Sequence, residues 1–304
     1  MRLLVTGGAG FIGSNYVRHV LETSDVEVTT VDALTYAGDR SNLPEHERHR
    51  FVEGDITDRE LVDELVATAD QIVNFAAESH VDRSIYGATP FVRNNVEGVA
   101  TLLDAAVEYG IDRFVQISTD EVYGEIESGA FAENDRLEPR NPYAATKAGA
   151  DHLARSYHVT HDVPVLITRS SNNYGPRQHP EKLIPKLVRR AAAGEPLPIY
   201  GDGSNIREWT YVSDNCRAVE LARQEGSNGE VYNIGSGDEW ANLEVARAVC
   251  DAVGASDDLI EFVEDRPGHD QRYALNSSRV RALGWTPETS FQEGLSRVVN
   301  YYVD

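Results

Sequence analysis

The chain has 304 residues, and its 28 Lys and Arg against 50 Asp and Glu give a formal net charge of −22 at pH 7. A charge of that sign excludes a nucleic-acid-binding protein that works through a basic face. Because 41% of the residues are hydrophobic, the chain can bury a sizeable core in one large domain or two unequal ones, which excludes a disordered protein.

Short apolar runs alternate with amphipathic stretches over the first half of the chain. The runs at residues 3–5, 26–31, 72–75, 114–117 and 165–168 are expected to form buried parallel strands. Helices are expected to begin near Phe11, Asp58, Pro90, Pro142 and Ser213. Several of these positions carry a proline or a capping Asp or Ser, which favour the start of a helix. This order of elements predicts an α/β fold with a Rossmann-like, doubly wound parallel sheet.

The pattern changes at Ser171, where Gly- and Pro-rich pieces begin that suit a smaller, loop-rich lobe. The run Glu230 to Ile234 has the composition of a strand, and further helices are expected near Leu243 and Phe291. We therefore expect a Rossmann domain over residues 1–170, to which the chain returns around residues 209–235. A smaller C-terminal substrate-binding lobe is expected from residues 171–208 and 236–304.

The segment Thr6-Gly-Gly-Ala-Gly-Phe-Ile-Gly13 follows the first strand and opens a helix. Its glycines let the backbone approach a pyrophosphate, to which the helix N-terminus presents N–H groups. Asp32, at the end of the second strand, is placed to accept hydrogen bonds from a ribose 2′-hydroxyl and would repel a 2′-phosphate, which favours NAD over NADP. Asp55, after the third strand, is a candidate for the adenine edge. A tight turn without a nucleotide, and a loop cap at Asp32, are the alternatives.

Tyr143 and Lys147 stand four residues apart just after Pro142, so both side chains point from one face of a helix's first turns. A nearby ammonium favours phenolate over phenol. We therefore expect Lys147 to lower the pKa of Tyr143 from about 10 towards neutrality and to make it a base that deprotonates an alcohol. The same lysine is a candidate partner for the nicotinamide ribose.

The glycine loop, Asn74-Phe-Ala-Ala77 and Tyr143-Ala-Ala-Thr-Lys147 resemble the extended short-chain dehydrogenase/reductase family. Its members include reductases, epimerases, decarboxylases and dehydratases of nucleotide sugars, and the segment Ser118-Thr-Asp-Glu-Val-Tyr-Gly124 selects among them. Epimerases commonly carry small hydroxyl residues where Asp120 and Glu121 stand. Two adjacent acids beside a tyrosine supply the base and the proton donor that elimination of water needs. An acidic surface loop is the alternative.

Further matches extend the resemblance over nearly the whole chain, to the dTDP-glucose 4,6-dehydratases of this family; they lie at residues 78–85, 171–176, 180–185, 198–201, 206–209 and 265–270. The resemblance implies that Tyr143, assisted by Thr119, removes the proton of the glucosyl 4-hydroxyl while NAD accepts the C4 hydride. It implies that Glu121 abstracts the C5 proton, that Asp120 protonates the departing 6-hydroxyl, and that the hydride returns to C6.

The resemblance also implies two sets of binding residues and no metal site. The cofactor set is Gly7, Gly10, Phe11, Ile12, Gly13, Asp32, Leu34, Thr35, Asp55, Ile56, Phe75, Ala76, Ala77, Ser79, Asn94, Tyr143, Lys147 and Asn173. The nucleotide-sugar set is Ser79, Thr119, Asp120, Glu121, Tyr143, Asn172, Lys182, Leu183, Pro198, Ile199, Tyr200, Arg207, Asn233, Arg266 and His269. A homodimer through helices near residues 91–109 and 143–161 is implied as well.

Other activities remain open at this point. A UDP-sugar 4-epimerase or decarboxylase would use the same NAD and the same Tyr/Lys pair. A non-catalytic NAD-binding sensor is a more remote alternative, because such proteins usually lose the Tyr or the Lys. Asn94, His179 and Glu208 depart from the family pattern, and UDP-glucose is an alternative to dTDP-glucose as substrate.

Composition also suggests where the protein works. Only Lys147, Lys182 and Lys186 are lysines, which leaves 28 − 3 = 25 arginines. Many carboxylates with few lysines favour a halophilic protein, and a GC-rich mesophilic source is the alternative. Two cysteines argue for a reducing compartment, and no apolar run approaches the ~18 residues of a membrane span, so we expect a cytoplasmic protein.

Overall fold

The structure is a computed structural model that describes residues 1–265 and 267–303. Its strands are β1 (Arg2–Thr6), β2 (Glu27–Asp32), β3 (His49–Glu53), β4 (Gln71–Asn74), β5 (Arg113–Thr119), β6 (Val165–Ser170), β7 (Asn172–Tyr174), β8 (Leu197–Tyr200), β9 (Ile206–Tyr211), β10 (Val231–Ile234), β11 (Glu239–Ala241) and β12 (Ile260–Val263). Its helices are α1 (Phe11–Thr23), α2 (Arg59–Val66), α3 (Val81–Tyr86), α4 (Thr89–Val92), α5 (Gly98–Tyr109), α6 (Pro142–His161), α7 (Leu183–Ala192), α8 (Val212–Glu225), α9 (Asn242–Val253), α10 (Ser278–Ala282) and α11 (Phe291–Val303).

Seven strands form the main sheet in the order β10-β6-β5-β4-β1-β2-β3, and every neighbouring pair is parallel. The predicted α/β fold is confirmed, and each of the five predicted strands lies within two residues of an observed one. The strands read as apolar runs because both faces of the sheet are covered. One apolar cluster joins the sheet to α1 and α8, and a second joins it to α2, α5 and α6.

The predicted helix starts coincide with capping groups in the structure. The Asp58 side chain accepts hydrogen bonds from the backbone N–H groups of Glu60 and Leu61 at 3.1 and 3.3 Å, and α2 begins at the next residue. Helix α6 begins at Pro142, whose missing N–H costs nothing in the first turn, and Asn141 caps it. The helix predicted near Pro90 is interrupted, because residues Arg93–Glu97 form a π-helical turn between α4 and α5.

The remaining strands form two small sheets beside the main one. In the first, β7 pairs in parallel with β9, which pairs antiparallel with β11; in the second, β8 and β12 are parallel. Together with α7, α9 and α11 they enclose a third apolar cluster. The predicted return to the main sheet occurs at β10, whose partner is β6. The division of the chain into two domains stays a prediction, which the separate third cluster supports.

Candidate active site

A cavity of about 610 Å³ opens at the carboxyl ends of the main-sheet strands and extends between α7 and β8. It begins where β1 and β4 lie side by side, the point at which the strand order reverses and ligands of open α/β sheets bind. All cofactor residues predicted from the sequence line it except Leu34. Of the predicted substrate residues, Arg266 lies outside the described residues, and all the others line the cavity except Asn233.

The glycine loop packs too closely for side chains. Gly7 has a φ of +66°, and a Cβ placed on it would lie 2.5 Å from the backbone nitrogen of Ala76. A Cβ on Gly13 would lie 2.4 Å from the carbonyl oxygen of Gly7. In the described residues no side chain caps α1, and its first turn carries no acid. The N–H groups at the start of α1 therefore face the cavity without a protein anion, which suits a pyrophosphate.

The Asp32 carboxylate is held by the backbone at the end of β2. Its two oxygens accept hydrogen bonds from the N–H groups of Ala9 and Leu34, both at 2.9 Å. Burial raises the pKa of Asp32, and these backbone donors oppose that rise. Leu34 donates its N–H to Asp32 and is not among the residues that line the cavity, and its role as a cofactor contact stays a prediction.

Tyr143 and Lys147 lie on the buried face of α6, as predicted. The Lys147 Nζ donates to the carbonyl oxygen of Ile117 at 2.5 Å, and burial lowers the pKa of Lys147 to about 8. The pKa of Tyr143 is not lowered as the sequence predicted. Burial raises it well above its usual value, and Glu121 and Asp120 raise it further. The i, i+4 spacing identified the ammonium but neither the burial of the phenol nor the two neighbouring carboxyls.

Thr119 and the two acids follow directly from the end of β5. The Thr119 hydroxyl donates to Asp120 Oδ1 at 3.1 Å and accepts from the N–H of Glu121 at 3.3 Å. Asp120 is 2% exposed, and burial first, then the neighbouring Glu121, raises the pKa of its carboxyl well above the usual range. The site therefore places a carboxyl whose raised pKa suits it to donate a proton beside a second acidic side chain at the cavity wall.

Two functional candidates escaped the sequence analysis. Asn141 Nδ2 donates to Glu121 Oε2 at 3.0 Å while Asn141 Oδ1 caps α6, so one side chain fixes both the acid and the helix. Asn242 lines the cavity, and its buried Oδ1 has no hydrogen-bond partner among the described residues. The Asn-Pro dipeptide before α6 was a signal for the first of these.

Asn233, which the sequence assigned to the substrate, does not line the cavity, and its substrate role stays a prediction. Its side chain is fully buried; Nδ2 donates to the carbonyl oxygen of Phe131 at 2.9 Å, and Oδ1 accepts from the Tyr123 hydroxyl at 2.8 Å. Because both ends of the amide are occupied behind the sheet edge, Asn233 supports Tyr123. Asn242, nine residues later, is the asparagine that reaches the cavity.

Polar contacts connect two halves of the cavity. We call the half at the main-sheet strands the near half and the half beside α7 and β8 the far half. Lys182 Nζ donates to the carbonyl oxygen of Ser79 at 2.9 Å. Arg83 and His80 both contact Glu181 Oε2, at 3.1 and 3.3 Å. These contacts hold the loop after β4 against the segment that precedes α7, so cofactor and substrate candidates face one another across a single space.

Arg207 is the described arginine that lines the far half, and its guanidinium is largely engaged. It donates to the carbonyl oxygens of Ile206 at 2.7 Å and Asp270 at 2.8 Å, and it lies 4.5 Å over the ring of Tyr273. His269, also predicted, contacts Asp265 at 2.7 Å. In the described part of the chain no group of three or more His, Cys, Asp or Glu is arranged to hold a metal ion.

A family model described as GDP-mannose 4,6 dehydratase matches residues 4–298. The chain belongs to this family. Membership confirms the extended short-chain dehydrogenase/reductase resemblance that the motifs predicted. The site just described, with a tyrosine, a lysine and two acids around one cavity, is therefore the site of a dehydratase-family chain.

Individual relatives match this dehydratase-family chain over almost its whole length. The low-salt glycan biosynthesis protein Agl12 of Haloferax volcanii is 67% identical over 100% of this chain and 99% of its own. The dTDP-glucose 4,6-dehydratase of Streptomyces antibioticus is 50% identical over 100% of this chain and 93% of its own. DesIV, the dTDP-glucose 4,6-dehydratase of Streptomyces venezuelae, solved with NAD and dTDP bound, superposes with a TM-score of 0.97 at 51% identity, covering 99% and 97% of the two chains.

Proposed function

We propose that the protein is a dTDP-glucose 4,6-dehydratase, an NAD-dependent hydro-lyase that converts dTDP-glucose to dTDP-4-keto-6-deoxyglucose and water. The observation that carries this proposal is the buried Asp120 beside Glu121 at the end of β5, next to Tyr143, where burial and Glu121 raise the pKa of the Asp120 carboxyl. An epimerase or decarboxylase that shares the tyrosine and the cofactor has no use for such an acid pair.

The cofactor residues are proposed to be those that line the near half of the cavity. The start of α1 would hold the pyrophosphate, Asp32 a ribose hydroxyl, and Lys147 the nicotinamide ribose. When bound, NAD supplies a positively charged two-electron acceptor that oxidises C4 of the sugar and later reduces C6. A positive charge there favours the phenolate of Tyr143, whose pKa burial and the two acids otherwise raise.

The chain's own groups move three protons. Tyr143 Oη takes the proton of the 4-hydroxyl as C4 becomes a ketone, and the Thr119 hydroxyl stabilises the phenolate when it turns from Asp120 to donate to Tyr143. The ketone acidifies C5–H, and Glu121, oriented by Asn141, removes that proton. Asp120 gives its proton to the 6-hydroxyl, which leaves as water. As C6 is reduced, Glu121 returns its proton to C5. The product keeps the ketone, so the proton that Tyr143 took from the 4-hydroxyl is left over, and it replaces the one that Asp120 gave to the departing water.

A direct test is incubation of the protein with dTDP-glucose in molar salt. The proposed dehydratase produces a 4-keto-6-deoxy sugar, which is detected by its absorbance in alkali. Clean conversion to the galacto sugar would reject the dehydratase in favour of an epimerase. Parallel incubations with UDP-, GDP- and CDP-glucose identify the nucleotide that the site prefers.

Changing Asp32→Asn is expected to reduce the preference for NAD over NADP by at least about tenfold, because the charge that repels a 2′-phosphate is removed. The ratio of the two dissociation constants, measured by fluorescence titration of cofactor-free protein, reports this. Asp39→Asn is the matched control, since Asp39 is exposed and likewise accepts from a backbone N–H, that of Ser41. An unchanged ratio for Asp32→Asn would remove Asp32 from cofactor selection.

We propose that the protein is halophilic, which its charge of −22 and the Haloferax relative support. The melting temperature is then expected to rise from dilute buffer to molar KCl, because salt screens the repulsion among carboxylates within ~3 Å at 1 M. Scanning calorimetry at increasing KCl measures it. Maximal stability in dilute buffer contradicts the proposal.

We also propose a cytoplasmic homodimer. Among the described residues no helix combines the length and the apolar character needed to cross a bilayer. Val92, Val107 and Tyr109 on α4 and α5 and Val159 on α6 are exposed hydrophobic side chains on the two helices expected to pair. Sedimentation in high salt is expected to give twice the 33.6 kDa chain mass. A monomer at micromolar concentration contradicts the dimer.

A further inference from the structure

The three lysines of the chain share one location. Lys147, Lys182 and Lys186 all line the cavity, whereas the other 25 basic residues are arginines, of which only Arg207 among the described ones lines it. Lys147 and Lys182 are accounted for by the cofactor and by the contact with Ser79. Lys186 has no role in the sequence analysis, and its position raises the question of what it binds.

Lys186 differs from its basic neighbours because its ammonium has no partner among the described residues. Lys182 Nζ donates to Ser79, and the Arg207 guanidinium donates to backbone carbonyls. Among the residues that the structure describes, no carboxylate lies within ion-pair distance of Lys186 Nζ, and no hydrogen bond of that atom is recorded. In a chain with 50 acids, an unpaired and half-buried ammonium in a cavity is available to an anion from outside.

Two other buried polar groups that line the cavity also lack a hydrogen-bond partner among the described residues. Lys186 lies on α7, and Lys182 is the residue immediately before that helix; both line the cavity. Trp209 and Asn242 line the same cavity; they are 5% and 8% exposed, and Trp209 Nε1 and Asn242 Oδ1 have no partner in the described chain. Buried polar groups without partners are costly, and a bound polar ligand would satisfy them.

We propose that Lys186 binds a phosphate oxygen of the nucleotide diphosphate and sets the affinity of this chain for it. The inference rests on the proposed function, because it takes the substrate to be a nucleoside diphosphate sugar. A compact ammonium suits a phosphate oxygen, and a charge-assisted hydrogen bond in a half-buried site is among the stronger ones. Lys186 also offsets, at the site itself, the repulsion between an anionic substrate and a protein of charge −22.

The test compares Lys186→Gln with Arg189→Gln, which removes the same charge from an exposed position on α7 outside the cavity. For Lys186→Gln, the KM for dTDP-glucose and the inhibition constant of dTDP are expected to rise about tenfold, while kcat changes less than twofold. Lys186→Arg is expected to recover most of the affinity. Inhibition by thymidine, which lacks phosphate, is expected to stay unchanged.

Two results would overturn the proposal. One is a KM for Lys186→Gln that rises no more than that for Arg189→Gln. The other is an equal weakening of thymidine and dTDP, which would place Lys186 at the base. If the unsubstituted protein does not act on dTDP-glucose, the proposed function fails separately. The binding of dTDP, UDP and GDP to the original chain and to Lys186→Gln is then compared by calorimetry. If the two proteins bind each diphosphate with equal affinity, the proposed role of Lys186 is overturned.

Discussion

Replacing Tyr143 by phenylalanine is expected to lower kcat by about 10²- to 10⁴-fold, the range that one general acid–base group contributes. The substitution removes only the hydroxyl. The ring, which packs edge-on against Phe91 with centroids 6.5 Å apart, keeps its contact, so the fold is expected to persist. Because the phenolate is needed for the first oxidation, Tyr143→Phe should also fail to form reduced cofactor when dTDP-glucose is added.

The measurement is steady-state formation of the 4-keto-6-deoxy sugar, together with the absorbance of reduced cofactor under single-turnover conditions. Tyr86→Phe is the matched control, because Tyr86 is 90% exposed and lies outside the cavity lining. A kcat for Tyr143→Phe within twofold of the original would transfer the role of base to another group. Melting temperatures of both variants separate lost chemistry from lost folding.

Much of the main sheet could be predicted because its signal is local. Strands such as β6 are buried along their whole length, and the apolar run of residues 165–167 with which β6 begins is visible in the sequence. The small sheets give no such signal: β7 is the polar tripeptide Asn172–Tyr174, and β12 is paired with β8 across some sixty residues. Their order depends on contacts between distant segments, which periodicity does not contain.

The same difference, between local sequence motifs and contacts of distant segments, explains which parts of the site could be predicted. The glycine loop and the Tyr143/Lys147 pair are contiguous motifs, and both lie where the sequence placed them. Asn233 and Asn242 are both asparagines near the end of a strand or the start of a helix, and only the packing of Tyr123 and Phe131 on the first shows which one faces the cavity. The pKa of Tyr143 depends on carboxyls 22 and 23 residues away, at 121 and 120, which the helix pattern could not include.

Glu121→Gln is expected to separate oxidation from elimination. An amide of the same shape keeps the acceptor for Asn141 Nδ2 but cannot take the C5 proton, so dTDP-glucose should be oxidised at C4 and then stall. Reduced cofactor should therefore accumulate visibly, while turnover to the 4-keto-6-deoxy sugar falls by about 10²-fold or more.

The chain offers a close control for this variant in Glu127→Gln, an exposed glutamate six residues further along the same segment. Asp120→Asn provides a second comparison, because it removes the proton donor and leaves the base. It should also stall after oxidation, but its defect should be smaller with a substrate whose 6-substituent is a better leaving group, which needs no proton from Asp120. The rate of Glu121→Gln should not rise with that substrate, because removal of the C5 proton limits the rate of this variant. Equal rescue of both variants would mean that the two acids do not divide the roles of base and acid.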